Sequence, residues 1–180
     1  LLLRDMDVIA GELKQLQEAK VPVLWRPLHE AEGGWFWWGA KGPEPAKELW
    51  RLLYERLTHH HGLNNLIWVW NSVSEAWYPG DDCVDIVSYD SYPRRYDYNP
   101  VAGRFEALSK LGKVPKIAAL GENGSIPDPD LMQRYGATWS WFVTWNGEIL
   151  REHNDLEHLA KVYNHPFVLT LDELPDIYGQ

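Results

Sequence analysis

Five short apolar runs recur along the chain, each bounded by turn-forming residues, with stretches of helical period before the first, between most of them and after the last. They lie at 21–29 (VPVLWRPLH), 65–71 (NLIWVWN), 84–90 (VDIVSYD), 115–121 (PKIAALG) and 137–145 (ATWSWFVTW). Runs this short and this apolar read as strands buried on both faces, the signature of a parallel sheet. Between them, Met6, Ile9, Leu13 and Leu16 mark a helix over 3–19, and Leu49, Leu52, Leu53 and Leu57 place one apolar face on a helix over 44–61, with Pro45 in its first turn. Phe105, Leu108 and Leu111 mark a third helix over 100–111, and shorter ones are predicted near 128–135 and 154–164. Strands alternating with connections of helical length specify an α/β architecture in one domain with no linker.

Charge and composition narrow the partners. Seventeen Lys and Arg against 26 Asp and Glu leave a formal charge of −9, which repels the phosphate backbone, so nucleic acid is not an expected partner. No uncharged apolar run approaches the roughly 18–20 residues that a membrane span requires, and no membrane partner is expected. The single cysteine, Cys83, cannot close an internal disulfide or build a thiolate metal site. His59, His60 and His61 are consecutive at a helix end and are read as a solvated terminus, so no metal and no cofactor is implied. The 11 tryptophans, joined by 9 tyrosines, exceed what core packing needs. Indole concentrates where one face is apolar and the other wet, as in a ligand cleft, and sugars offer C–H faces and hydroxyls to match.

The polar residues fall at one end of the strands. The runs close in His29 and Glu30, in Asn71, in Asp90 with Tyr92, in Glu122 and Asn123, and in Trp145 and Asn146. Reactive groups at the C-terminal ends of successive parallel strands are how a (β/α)8 barrel builds an active site. Two carboxylates in an aromatic setting suit glycoside hydrolysis, in which one protonates the leaving oxygen and the other handles the anomeric carbon. The alternative is that Glu30 and Glu122 are ordinary ion-paired acids.

The stretch Arg26-Pro27-Leu28-His29-Glu30, followed by Gly33-Gly34-Trp35-Phe36-Trp37-Trp38-Gly39, resembles the acid-bearing strand and loop of glycoside hydrolase family 26, best known for endo-β-1,4-mannanases. Trp68-Val69-Trp70-Asn71, Tyr78-Pro79-Gly80-Asp81, Asp85-Ile86-Val87 with Asp90 and Tyr92, Gly121-Glu122-Asn123-Gly124 and Thr144-Trp145-Asn146 follow in the family's order, so the resemblance covers nearly the whole chain.

The resemblance implies a retaining (β/α)8 TIM barrel, with Glu30 as acid/base after strand 4, Glu122 as nucleophile after strand 7, and carboxyls about 5–5.5 Å apart. Glu30 must stay protonated, which apolar walls favour, and Glu122 ionised, which donors favour. By the same resemblance Tyr92 hydrogen-bonds the nucleophile, Trp145 is the platform under the −1 sugar, Trp35 flanks the leaving-group side, and Asp90 lies near the active centre. His29 is a sugar or carboxylate contact, or else a satisfied core histidine. Asn71 is a polar contact or a structural residue, Arg26 is expected beneath the site in support, and Trp37 and Trp38 are unassigned. Trp68, Trp70, Trp139 and Trp141 are expected to pack.

A barrel needs eight strands and typically about 250 residues, whereas the five runs supply strands 4 to 8. Residues 1–180 are therefore expected to be the C-terminal portion of one catalytic domain, needing the N-terminal barrel half with strands 1 to 3 upstream. The expected activity is endo-hydrolysis of β-1,4-mannosidic linkages in mannan, glucomannan or galactomannan. The alternatives are another β-glycan, such as β-1,3-xylan or mixed-linkage β-glucan, and a non-catalytic sugar-binding fragment. An extracellular polymer as substrate implies secretion or surface display.

Overall fold

The computed structural model describes residues 1–176; the last four positions of the expected 1–180 domain lie outside the described residues. Within the described residues, six α-helices and four strands follow in the order α1 (Leu2–Glu18), β1 (Val23–Trp25), α2 (Pro43–Tyr54), β2 (Leu66–Asn71), β3 (Ile86–Ser91), α3 (Ala102–Ser109), β4 (Ile117–Asn123), α4 (Pro129–Tyr135), α5 (Glu148–His153) and α6 (Leu156–Tyr163), with no α-helix between β2 and β3. The strands form one sheet in the order β1-β2-β3-β4. β1 runs parallel to β2 with Val23 opposite Leu66, and β2 runs parallel to β3 with Val69 opposite Ile86. The chain divides into two compact units, Leu1–Tyr89 with Ala107–Ala119, and Asp90–Glu106 with the chain from Leu120 onward.

In the first unit, Met6, Ala10 and Leu13 recur at helical spacing and are the residues of α1 that are buried. Lys20 adopts a left-handed backbone (φ 58°) and Pro22 follows, which stops the helix. On α2 the buried line is Ala46, Trp50 and Leu53, continued by Leu57, while Leu52 is 40% exposed, so the expected leucine face is rotated toward Trp50. That indole is fully buried, meets Trp68 and Trp70 edge-on at 5.4 and 5.0 Å, and donates Nε1 to the Cys83 carbonyl at 3.2 Å. Aromatic pairs of this kind add about 0.5–1.5 kcal/mol each beyond the area they bury. Trp68 and Trp70 are core residues, as expected.

A π-helical turn over Glu55–His60 follows α2. It lets both Arg56 and His61 reach Asp7 on α1. Arg56 Nε and Nη2 donate to the two carboxylate oxygens at 2.7 and 2.8 Å, and His61 Nε2 lies 2.7 Å from Oδ1. Arg56 foremost, then His61, holds the Asp7 carboxyl well below the usual carboxylate range. The histidine run is thus not wholly a solvated terminus, because the His61 side chain keeps 27% of its exposure and is hydrogen-bonded to Asp7. Ligand atoms of Asp7, His60 and His61 lie within 4.8 Å of one another. The Arg56 fork covers both Asp7 oxygens, and its charge repels a cation from that position.

Two expected strands come out differently. The run at 21–29 is a strand only over Val23–Trp25, because Pro27 has no N–H to give a ladder and Leu28 and Glu30 both take left-handed backbones (φ 53°). Arg26 accordingly follows the strand and does not lie inside it. The run at 137–145 forms no strand beyond a single parallel bridge between Thr144 and Asn123. Trp141 and Val143 offer their carbonyls to the N–H groups of Leu120 and Asn123 at 3.0 and 2.9 Å, whereas the Trp139 N–H turns back to Ala137 at 3.0 Å and interrupts the ladder.

In the second unit, Asp128 caps α4 by accepting from the N–H groups of Asp130 and Leu131, and Asp155 caps α6 by accepting from that of His158. Helix α5 was not anticipated. Its C-terminal neighbour Asn154 is buried and joins the element to the chain after β4. Asn154 Oδ1 accepts from the Ile126 N–H at 2.7 Å, and its Nδ2 donates to the Gly124 carbonyl at 3.0 Å. Trp139 is 6% exposed with Nε1 on the Pro100 carbonyl and packs as expected, and Trp141 is half-buried. Among the described residues no helix is long and apolar enough to cross a membrane.

Candidate functional site

The end of β1 and its following loop carry the first cluster. After Glu30 the backbone makes a 3₁₀ turn over Ala31–Gly33, then the aromatic loop returns so closely that a Cβ on Gly39 would run into the Ala31 carbonyl. Within the loop Phe36 stacks on Trp38 at 4.4 Å, Trp37 meets Trp38 edge-on, and the His29 ring lies 4.9 Å from Phe36 and 5.8 Å from Trp38. Trp38 also donates Nε1 to the His29 carbonyl at 2.8 Å. His29 is therefore half-buried against the loop that follows it. Trp35, 66% exposed, lies over Gly33 and donates Nε1 to Glu30 Oε2 at 3.1 Å. Arg26 is half-buried one residue beyond the strand.

Polar groups at the end of β2 fasten this turn. Asn71, 4% exposed, accepts the Glu30 N–H on Oδ1 at 2.8 Å. Glu32 accepts from the Ser72 hydroxyl at 2.5 Å and from the Ser74 N–H at 3.2 Å. Neither Glu32 nor the Ser88 hydroxyl beside Asn71 figures among the sequence-derived candidates. A serine inside the apolar run VDIVSYD was the one available signal for the latter.

The second cluster surrounds β4. Glu122 is half-buried and its Oε2 accepts two hydrogen bonds, from Tyr92 Oη at 2.5 Å and from Trp145 Nε1 at 2.9 Å. Both of these donors are neutral and their acceptor is a carboxylate, so each bond is charge-assisted. The Tyr92 phenol is pushed up from its usual value, first by burial and then by its bond to the Glu122 carboxylate, and so stays a donor throughout the neutral range. Next in the strand, Asn123 is fully buried and donates Nδ2 to Thr144 Oγ1 at 2.8 Å, which holds the segment that presents Trp145. Asp90 is half-buried near the end of β3, two residues before Tyr92.

The structure thus gathers Arg26, His29, Glu30, Trp35 and Asn71 in the first unit, and Asp90, Tyr92, Glu122 and Trp145 in the second. Each group holds a glutamate that accepts from aromatic donors, Glu30 from Trp35 and Glu122 from Tyr92 and Trp145. An acid carrying an indole donor can exchange a proton with a bound group, and one fixed by two neutral donors can act as an ionised nucleophile.

The family model described as glycosyl hydrolase family 26 matches residues 1–173, and the chain belongs to this family. A mannan endo-1,4-beta-mannosidase of Thermothelomyces thermophilus is 57% identical over 176 residues, covering 97% of this chain and 36% of the relative. Mannan endo-1,4-beta-mannosidase B of a Piromyces species is 40% identical over 177 residues, covering 97% of this chain and 30% of the relative. The chain thus spans about a third of the length of these relatives. Among solved structures, the GH26-CBM35 β-(1,4)-mannanase of Podospora anserina superposes with a TM-score of 0.92 at 55% identity, over 97% of this chain and 39% of that one. A β-mannanase from a symbiotic protist of the termite Reticulitermes speratus, complexed with gluco-manno-oligosaccharide, gives a TM-score of 0.89 at 40% identity, over 96% of this chain and 54% of that one. These likenesses agree with a four-stranded parallel portion of a TIM barrel.

Proposed function

We propose that residues 1–180 carry both reacting carboxylates of a retaining endo-β-1,4-mannanase acting on mannan, glucomannan or galactomannan. The observation that carries this is Glu122, the side chain in the nucleophile's motif, held through one oxygen by Tyr92 and Trp145. In the first step the Glu122 carboxylate attacks the anomeric carbon while Glu30 gives its proton to the departing glycosidic oxygen, leaving a mannosyl ester on Glu122. In the second, Glu30, now a carboxylate, takes a proton from water as that water attacks the anomeric carbon and Glu122 departs. Trp145 supplies an apolar ring face beside the reacting sugar, Trp35 flanks the leaving-group side, and His29 and Asp90 contact the sugar or its carboxylates. Arg26 supports the turn from beneath.

We assign the four strands and the segment 137–145 to positions 4 to 8 of an eight-stranded barrel; on that assignment activity also requires a portion carrying strands 1 to 3. An extracellular polymer as substrate implies a secreted or surface-displayed enzyme. Azide rescue in the protein that carries this chain tests the two roles. Glu122→Gly with azide should release an α-mannosyl azide, because azide replaces the nucleophile on the opposite face. Glu30→Ala with azide should release the β-azide from a trapped ester. The same anomer from both variants refutes the assignment, and a panel of β-mannans, β-1,3-xylan and mixed-linkage β-glucan ranks the substrates.

A further inference from the structure

Glu30 stands in an unusual place for an acid that must be aimed. It has left the strand, its backbone is left-handed (φ 53°, ψ 29°), and its neighbour Leu28 is left-handed too. A non-glycine residue in this region costs about 1–2 kcal/mol and persists only where its surroundings hold it. The β1 ladder with β2 ends at Trp25 opposite Trp68, so no strand pairing fixes the Glu30 peptide. Two side chains hold the His29–Glu30 peptide: Trp38 Nε1 donates to its carbonyl at 2.8 Å from the loop, and Asn71 takes its N–H from the sheet. The Glu30 N–H donates to Asn71 Oδ1 at 2.8 Å, Asn71 Nδ2 donates to Ser88 Oγ at 3.1 Å, and Ser88 Oγ donates to the Trp70 carbonyl at 2.9 Å. Asn71 is 4% exposed and Ser88 fully buried, so these bonds face little competition from water.

The direction of each bond matters. Asn71 and Ser88 lie opposite each other in the register of β2 and β3. With its amide nitrogen committed to Ser88, Asn71 must turn its oxygen toward Glu30. Ser88 can accept that bond because its own proton goes to a carbonyl of β2. The relay therefore runs from the rigid interior of the sheet to one peptide, the peptide that sets where the Glu30 side chain starts.

We propose that Asn71 and Ser88 are positioning residues for the acid/base Glu30, acting through its backbone N–H and not by touching the sugar. The inference rests on the role assigned to Glu30 above. Its test uses leaving groups that differ in their need for a proton: a mannan polysaccharide, whose departing alcohol must be protonated, and a 2,4-dinitrophenyl β-mannooligosaccharide, whose phenolate leaves unaided.

In the protein that carries this chain, Asn71→Ala should lower kcat on mannan by about 10–100-fold, the cost of a misplaced catalytic group, with KM changed less than about threefold and kcat for ester formation from the aryl substrate nearly unchanged. Ser88→Ala should show the same selectivity at smaller size, about three- to tenfold, and it carries the test if Asn71→Ala fails to fold. Asn71→Asp keeps an acceptor for the Glu30 N–H and should recover most of the loss. An equal loss on both substrates, a loss confined to KM, or no loss in either variant overturns the inference. Glu30→Ala separates this from the parent reading. If Glu30→Ala is selective against mannan and the Asn71 and Ser88 variants are not, only the relay fails; if Glu30→Ala is itself unselective, the acid/base assignment fails.

Discussion

Glu30 and Glu122 are both glutamates reached from an apolar parallel strand, and the chain secures them by opposite means. Glu122 lies within β4, on extended backbone, and is held by its side chain, with Tyr92 and Trp145 both donating to Oε2 at 2.5 and 2.9 Å. Glu30 lies outside its strand on a left-handed backbone, carries one indole donor at 3.1 Å, and is held by its peptide through Asn71. The difference matches the two duties proposed for them above. A nucleophile profits from donors that keep its charge and fix its oxygen, whereas a group that gives and regains a proton profits from a fixed origin and a lightly bonded carboxyl.

The largest effects test that contrast directly. Glu122→Ala should cost at least about 10⁴-fold in kcat on every mannoside, whatever its leaving group, since no ester can form. Glu30→Ala should cost about 10²–10⁴-fold on mannan and far less for ester formation from a dinitrophenyl substrate. Steady-state and burst kinetics on the two substrates read both. If the two variants fall together on both substrates, the contrast is broken.

Single donors come next. Tyr92→Phe removes a bond to a charged oxygen and should lower kcat about 10–100-fold, the range of about 1.5–3 kcal/mol for such bonds. Trp35→Phe removes an indole donor from an exposed ring and should cost only about threefold to tenfold. Reversal of this order would mean that Glu30, and not Glu122, is the side chain held by its donors.

The smallest effect concerns a third acid, secured in yet another way. Asp7 is held by a cation, with Arg56 forked on both oxygens and His61 on one. Its carboxyl is depressed in the fold, so the stabilisation is present above the ordinary carboxylate value of about 4 and is lost as pH falls below it. Melting temperatures measured from pH 6 down to pH 2 should show Asp7→Asn less stable than wild type at pH 6 and converging with it toward pH 2. Activity near neutrality should not change. A constant gap across the whole range would remove the ion pair as the cause.

Much of this was legible in the sequence because the informative residues stand where local patterns change. Glu30, Asn71, Asp90 and Glu122 each close an apolar run, and aromatic residues crowd the same places. The strand limits were less legible. Nothing in VPVLWRPLH announces that Leu28 and Glu30 turn left-handed, and the alternation of ATWSWFVTW hides a Trp139 N–H that bonds to Ala137 and not across a sheet. On α2 the leucines drew attention from Trp50, which a helical wheel places on the same stripe as Ala46, Leu53 and Leu57.

The fastening groups were hidden for a different reason. Glu32 finds Ser72 forty positions away, and Ser88 finds Asn71 across two strands. Such partners exist only after the sheet has set its register, so no window of neighbouring residues contains them. His61 belongs here too, since the π-helical turn that carries it to Asp7 has no distinct local signal.

The contact of Gly39 with the Ala31 carbonyl makes the aromatic loop a ring whose ends are shut against each other. Residues inserted at its outer bend, around Gly34 to Trp37, would lengthen the reach of the indoles while leaving both anchor points where they are. The tolerance of a graft is then set at position 39, where even one methyl group forces the ring open. The crest of such a loop can be lengthened without disturbing the Glu30 peptide at its base.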